Sequence, residues 1–286
     1  MELSGQFPVQ LLCKYMDLQR SSFYYWRAHL SKPAGRAQAL ADNIRLFVEY
    51  HLKYRSHGYR WLNAKIRLDT GIVMSDPYAH KCCRIAGIKS ESKHYAYKKP
   101  GEPGRVFPNL LMAEMKIDAP MQVVVSDMTA FWFKGVYYEL TLYMDLWNDS
   151  IVAHALSSKR GDRMTYISGL NSLIAFQDQH PECSMILHTD QGSVYASKAF
   201  NELLPMYRIR HSMSRAGTPT DNGAMEAING WIKAEMFMDF HVTGDEPIED
   251  EVERYIRFFN EERPAFCLNY LTPKQYAEKY AESSAC

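Results

Sequence analysis

The sequence contains no apolar run near the roughly 18 residues that a membrane-spanning helix needs, no repeat at a period of 20–50 residues and no low-complexity tract. Its first residues, Met1 to Lys14, have neither the basic start nor the small-residue cleavage site of a signal peptide. Net charge is also missing, with 33 Lys and Arg against 33 Asp and Glu. The six cysteines, Cys13, Cys82, Cys83, Cys183, Cys267 and Cys286, include no C-x-x-C, and this scatter leads us to expect reduced thiols. His80 with Cys82 and Cys83 has zinc-ligand types but not zinc-finger spacing, and no matching second pair follows. Disorder as the main state is excluded by 47% hydrophobic and 13% aromatic residues. The expectation is a soluble cytoplasmic chain of about two domains, long enough to bury about 70% of its unfolded surface.

The zero net charge hides an asymmetry. Residues 1–110 hold 18 Lys and Arg against 8 Asp and Glu, whereas residues 111–286 hold 15 against 25. A basic front half points to a polyanion partner, although two solvated surfaces that merely differ give the same count. That half reads as helical. FPVQLLCKYM has helical spacing, and Ser21-Ser22 offers a cap for a second helix over 23–30, with Tyr24 and Tyr25 on its outside. Two short helices around a tight turn fit a helix-turn-helix or, equally, a plain helical hairpin. Further helices are expected over 37–54, from His57-Gly58-Tyr59-Arg60 to Leu68, and after Ser75-Asp76-Pro77. The stretch 89–118 is basic and rich in proline and glycine, as a linker would be.

The pattern then turns to strands. QVVVSDMTAFWF, VYYELTLYMDLW and IVAHALS are rich in β-branched and aromatic residues and are joined by Lys134-Gly135 and Asn148-Asp149. A helix over 162–177, a strand over 184–188, a helix near 198–204, a strand over 208–212 and a long helix over 222–239 follow. This order gives an α/β fold of ribonuclease H-like arrangement: a mixed sheet with flanking helices, preceded by an all-α, helix-turn-helix-like region. The expected organisation is a helical region over 1–88, a linker over 89–118, and the core with its C-terminal helices over 119–286.

Three carboxylates stand out. Asp127 interrupts an apolar strand, where an acid is costly unless it is paired or bound to a cation. Asp190 ends the apolar strand MILHTD, at the kind of strand end where open α/β sheets bind ligands. Glu226 lies one turn into a helix, among Ala224, Met225, Ala227 and Ile228. Each has a plainer explanation: a buried partner for Asp127, a turn for Asp190, a helix-start interaction for Glu226. Jointly, carboxylates are the hard oxygen ligands that Mg2+ takes in phosphoryl transfer.

Between Asp190 and Glu226 lie 35 residues, and Lys233 follows Glu226 by seven. With the words SDMT, LHTDQGSVY, SMSRAGTPTDNGAMEAINGWIKAE and FNEERPAFCLNYLTPKQY, and with FPVQLLCKYMDLQRSSFYYWR and HGYR in front, this resembles the Asp-Asp-(35)-Glu pattern of bacterial insertion-sequence transposases. More narrowly, it resembles the second-frame, integrase-core product of two-frame elements, related to retroviral integrases. Unlike the latter, it has no His-His-Cys-Cys module before the core. The resemblance implies catalysis by Asp127, Asp190 and Glu226 around two Mg2+ ions, with Mn2+ able to substitute. Water would cleave at an element end, and the freed 3′-hydroxyl would join target DNA. It further implies double-stranded DNA as partner, a homo-oligomer on that DNA, and an upstream first-frame protein, separate or fused. Lys233 and Gln191 become candidate DNA contacts, as does Asn222, for which helix capping beside Asp221 is the alternative. Arg27, Arg60, Lys65 and Arg67 are candidate phosphate contacts in the basic half. His188 is read as a packed, hydrogen-bonded histidine, and Trp26 and Tyr59 as core residues. A non-catalytic DNA-binding regulator and a hydrolysis-only nuclease of the same fold are the competing readings.

Overall fold

The computed structural model describes residues 6–30, 35–92, 108–111, 116–192, 194–214, 223–240 and 246–280, without the side chains at 29–30, 36, 199 and 223–227. The front half is helical: α1 (Val9–Tyr15), α2 (Arg20–Leu30), α3 (Gly35–Lys53), α4 (Tyr59–Thr70) and α5 (Asp76–Ala86). Helix α2 starts earlier than the sequence indicates. Phe23 N donates to Gln19 O, so Ser21 and Ser22 lie inside the first turn instead of capping it. Helices α1 and α2 pack on each other and leave Trp26 63% exposed, which corrects its reading as a core residue. The three helices α3, α4 and α5 pack together around Phe47, Leu62, Ile66 and Ala79.

The sheet is formed by β1 (Val123–Phe133), β2 (Val136–Asp145), β3 (Ser150–Ser157), β4 (Met185–Thr189) and β5 (Ile209–Met213), in the order β3-β2-β1-β4-β5. Strands β1, β2 and β3 are antiparallel neighbours, whereas β4 runs parallel to β1 and β5 parallel to β4. This is the mixed, ribonuclease H-like sheet expected above. The β1–β2 turn puts Lys134 at φ 49° and Gly135 at φ 77°, the paired left-handed residues that match strand twist in a two-residue hairpin. In the next turn, Asn148 Oδ1 accepts from Ser150 N at 3.1 Å.

Helices cover both faces, which explains why β1 and β4 begin with the apolar runs Val123-Val124-Val125 and Met185-Ile186-Leu187. Helices α6 (Arg163–Gln179) and α7 (Lys198–Leu203) pack on the face of Val124, Tyr143 and Leu187. Asp162 caps α6, its Oδ1 accepting from Met164 N at 3.0 Å. Helices α8 (Gly223–Met238) and α9 (Ile248–Glu261) take the face of Val125, Phe131 and Leu142, and α10 (Pro273–Tyr280) packs beside α9. The α8–α9 core is continuous with that of α3–α5: the rings of Tyr54 and Phe258 stack at 6.0 Å. Within the stretch read as a linker, residues 93–107 and 112–115 lie outside the described residues. The piece over 108–111 runs along β5, with Leu110 N donating to Ser212 Oγ at 2.9 Å.

Among the cysteines, Cys13, Cys82, Cys83 and Cys267 are free thiols. Cys183 is disulfide-bonded, contrary to the expectation of reduced thiols, because spacing along a chain does not report approach in space.

Helix α6 approaches the sheet closely at Gly169. A Cβ there would lie 2.6 Å from Tyr143 Cδ2, and that ring is held by its hydroxyl donating to Tyr166 O at 2.7 Å. Gly169→Ala should therefore cost about 1–3 kcal/mol of unfolding free energy through overpacking. Gly230→Ala, whose Cβ meets nothing within 4 Å, should gain about 0.5–1 kcal/mol from helix propensity. Denaturant melts of the two variants check both values.

Candidate active site

Strand β1 holds Asp127 at its middle, opposite Leu142 of β2. On its other side β1 pairs with β4 through Val125↔His188 and Ser126↔Thr189. One step further, the same register sets Asp127 beside Asp190, the first residue past β4. Neighbouring strands lie about 4.8 Å apart, and side chains level with each other in a parallel pair share a face. The register thus brings two carboxylates 63 positions apart in sequence to neighbouring strands, one in mid-strand and one just past a strand end.

Each is oriented by its surroundings. Asp127 Oδ1 accepts from Met128 N at 2.7 Å, and Oδ2 accepts from Asn229 Nδ2 of α8 at 2.7 Å. Asp190 Oδ1 accepts from Gly192 N at 2.8 Å, which ties the carboxylate to the turn it begins. Burial pushes the Asp190 carboxyl above its ordinary value, partly opposed by that N–H. Tyr166 of α6 is also pushed up, first by burial and then by the carboxylates of Glu139, Asp190 and Asp127. Strand β1 is braced from below by Ser126 Oγ and Tyr195 OH, 2.7 Å apart.

Sequence reasoning missed Asn229. It lies three residues after position 226, so the α8 face carrying that position turns toward Asp127. The available signal was one amide among Ile228, Trp231 and Ile232. Its Oδ1, like Gln191 Oε1, is buried with no hydrogen-bond partner among the described residues. The backbone at 226 belongs to α8, but the Glu226 side chain, and Asp221 and Asn222 entirely, lie outside the described residues. Among the described residues, no group of three or more His, Cys, Asp or Glu side chains could hold a metal ion.

The remaining sequence candidates divide clearly. Lys233 is half-buried on α8, four residues beyond Asn229 and on its side of the helix. Gln191 Nε2 donates to Ser214 O at 2.9 Å, bracing the end of β5. His188 is fully buried with Nδ1 2.8 Å from Ser212 Oγ, as the sequence reading has it. Tyr59 packs against the core, its ring 4.9 Å from that of His80. Arg27 on α2 and Arg60 and Arg67 on α4 are exposed, with Arg60 Nε 3.7 Å from Asp76. Lys65 is not open to a phosphate. Its side chain is 3% exposed, and Nζ donates to Asp69 Oδ1 at 3.0 Å and to Glu262 O at 3.3 Å. The helix turns Lys65 inward against Tyr54 and Phe258, which corrects its reading as a surface cation.

Comparison with known proteins shows the family. Residues 118–219 and 207–273 each match a family described as Integrase core domain. The transposase of insertion sequence element IS904 from Lactococcus lactis subsp. lactis (strain IL1403) is 31% identical over 219 residues, 76% of this chain and 85% of that one. The chain belongs to the integrase-core transposases of bacterial insertion sequences. InsK, assigned as the transposase of element IS150 in Escherichia coli (strain K12), shares 28% identity with this transposase over 276 residues, 96% of this chain and 95% of that one. Among solved structures, the HTLV-2 integrase catalytic core domain in complex with magnesium (dimeric form) aligns with a TM-score of 0.44 and 20% identity, covering 55% of this chain and 97% of that one. Family membership places the transposase among DNA-processing enzymes.

The internal role of Lys65 separates it from its neighbour. Lys65→Ala leaves two acceptors unsatisfied and should lower the unfolding free energy by about 1–3 kcal/mol. Arg60→Ala, at an exposed position, should stay within about 0.5 kcal/mol of wild type. Equilibrium unfolding of both variants in urea makes the comparison.

Proposed function

We propose that this transposase carries out metal-dependent cleavage and strand transfer at the DNA ends of its insertion sequence, with Asp127, Asp190 and Glu226 as catalytic carboxylates. The observation that carries the reading is the shared register of β1 and β4, which sets Asp127 level with Asp190. Helix α8 supports the third member, since Asn229, one turn beyond position 226, reaches Asp127. The donors suit a hard divalent cation: carboxylate oxygens, with the amide oxygens of Asn229 and Gln191, which have no hydrogen-bond partner among the described residues, nearby. Held there, two Mg2+ ions, replaceable by Mn2+, would neutralise charge on the attacking and leaving oxygens.

The protein's own groups position and neutralise. Asn229 and the Met128 N–H hold the Asp127 carboxylate in one orientation, and the Gly192 N–H does the same for Asp190. In the first step water attacks a phosphodiester at an element end; the P–O3′ bond breaks and leaves a 3′-hydroxyl. That hydroxyl then attacks a target phosphodiester, forming one bond to phosphorus as another breaks, so no nucleotide hydrolysis is required. Lys233 lies two turns after position 226 and serves the DNA phosphate beside the carboxylates. Gln191 follows Asp190 directly and is assigned to the same DNA, as is Asn222 from its place in the sequence. Arg27, Arg60 and Arg67 serve backbone phosphates from the helical region over 1–88, which the stretch over 89–118 joins to the core over 119–286. The partners are double-stranded element ends and target DNA, further copies of this chain to pair two ends, and the upstream first-frame protein. No described helix is long and apolar enough to cross a membrane; a DNA substrate goes with a cytoplasmic, nucleoid-associated location.

The test is a strand-transfer assay on labelled element-end duplexes. Asp127→Asn, Asp190→Asn and Glu226→Gln should each reduce joining by at least about 10²–10³-fold with melting temperatures retained. Chelation of divalent ions should abolish joining in the wild type. Joining that persists in Glu226→Gln overturns the assignment, and hydrolysis without joining identifies a nuclease.

A further inference from the structure

Helix α8 has a second, buried attachment on its other side. Positions 226 and 235 are nine residues apart, or two and a half turns, and so face opposite ways. Glu235 is 1% exposed and takes Arg263 in three hydrogen bonds of 2.8–2.9 Å, with Tyr255 OH of α9 at 3.0 Å. Asp239, just past the end of α8, is gripped from the front half: Ser56 Oγ donates to Oδ2 at 2.6 Å and Ser56 N to Oδ1 at 3.0 Å. His57 Nε2 lies 3.4 Å from both Glu235 and Asp239, its ring stacked on Trp61 at 3.6 Å. Ser56 and His57 sit in the turn between α3 and α4. That turn leads directly into the helix bearing Arg60 and Arg67.

A cavity of about 360 Å3, lined by His57, Trp61, Ile228, Trp231, Glu235 and Arg263 among others, opens between this turn and α8. Beside this cavity the front helices reach the end of α8 through the two Ser56–Asp239 hydrogen bonds. A slip of one residue along α8 would move its side chains by about 1.5 Å and rotate them by about 100°. A misplacement of about 1 Å costs on the order of 10²-fold in rate.

We propose that Ser56 and His57 are positioning residues for the catalytic centre: they clamp the reverse side of α8 and thereby tie the front helices to the setting of Asn229, Glu226 and Lys233. The inference rests on the reading of α8 as the catalytic helix. Neither residue touches substrate: Ser56 acts through its hydrogen bonds to Asp239, and His57 acts by packing on Trp61 beside Glu235. The clamp is formed within one chain, so displacement of α4 is transmitted to α8 without passing through the sheet.

The experiment compares the full-length wild type with Ser56→Ala, Ser56→Thr, Asp239→Ala and the Ser56→Ala/Asp239→Ala double variant. Three readouts are taken: single-turnover nicking of supercoiled plasmid in Mn2+, affinity for a duplex oligonucleotide, and amide hydrogen exchange by element. Ser56→Ala and Asp239→Ala should each slow nicking by about 10–100-fold, the double variant by no more than either alone, with duplex affinity within about twofold of wild type. Exchange should quicken in α8 while β1, β2 and β4 stay protected, and Ser56→Thr should restore both rate and protection. Unchanged α8 exchange in Ser56→Ala, unchanged nicking despite faster exchange, or multiplicative losses in the double variant each overturn the clamp. Exchange that quickens equally across the sheet reduces the pair to ordinary stability and overturns it too. A wild-type protein that nicks nothing counts against the catalytic reading itself and takes the positioning role with it; unchanged α8 exchange defeats the clamp alone.

Discussion

The parallel pairing of β1 with β4 is the constraint on which the rest of this transposase depends. An apolar strand tolerates an acid at Asp127 only where something compensates its charge, and the Val125↔His188 register puts the second acid, Asp190, at the same level. The fold supplies donors aimed at each: Met128 N and Asn229 for one, Gly192 N for the other. Burial still holds the Asp190 carboxyl above its ordinary value.

Around this point the molecule separates rigidity from access. Covered on both faces, the sheet provides a fixed platform, with Tyr143, Tyr195 and Phe200 packed behind β1 and β4. Asp190 lies just past the end of β4, while Asp127 stands mid-strand on β1, where α8 reaches it through Asn229. Helix α8 belongs to both regimes. One side reaches the acids through Asn229, while the opposite side is anchored by Glu235 to Arg263 and Tyr255. The Arg263 guanidinium and Tyr255 hydroxyl donate to Glu235 and meet the condition under which a fully buried charge is tolerated, namely that its lone pairs are occupied.

Much of this was legible in the sequence, for reasons that differ by residue. The strands announced themselves because both faces of β1 are covered, leaving the run Val123-Val124-Val125. Asp127 and Asp190 were legible because each breaks such a run. Asn229 was not, because an amide among apolar residues has many uses and its partner is 102 residues away. Lys65 misled for the opposite reason. Charge counting treats every lysine as exposed, and although Asp69 on the same helix was in view, Glu262 closes the pocket from 197 residues away. Ser21 and Ser22 have the right chemistry for a cap, but the hydrogen bond from Phe23 to Gln19 begins the helix before them.

The short segment over 108–111 has a consequence for how copies of the chain can associate. By lying along β5, with Leu110 bound to Ser212 and Pro108 O accepting from Met213 N at 3.4 Å, it occupies part of the border where the sheet would otherwise accept another strand. A border strand of five residues, already engaged in this way, makes a poor template for strand addition. On that side, a strand from another copy would have to displace this segment before it could join the ladder.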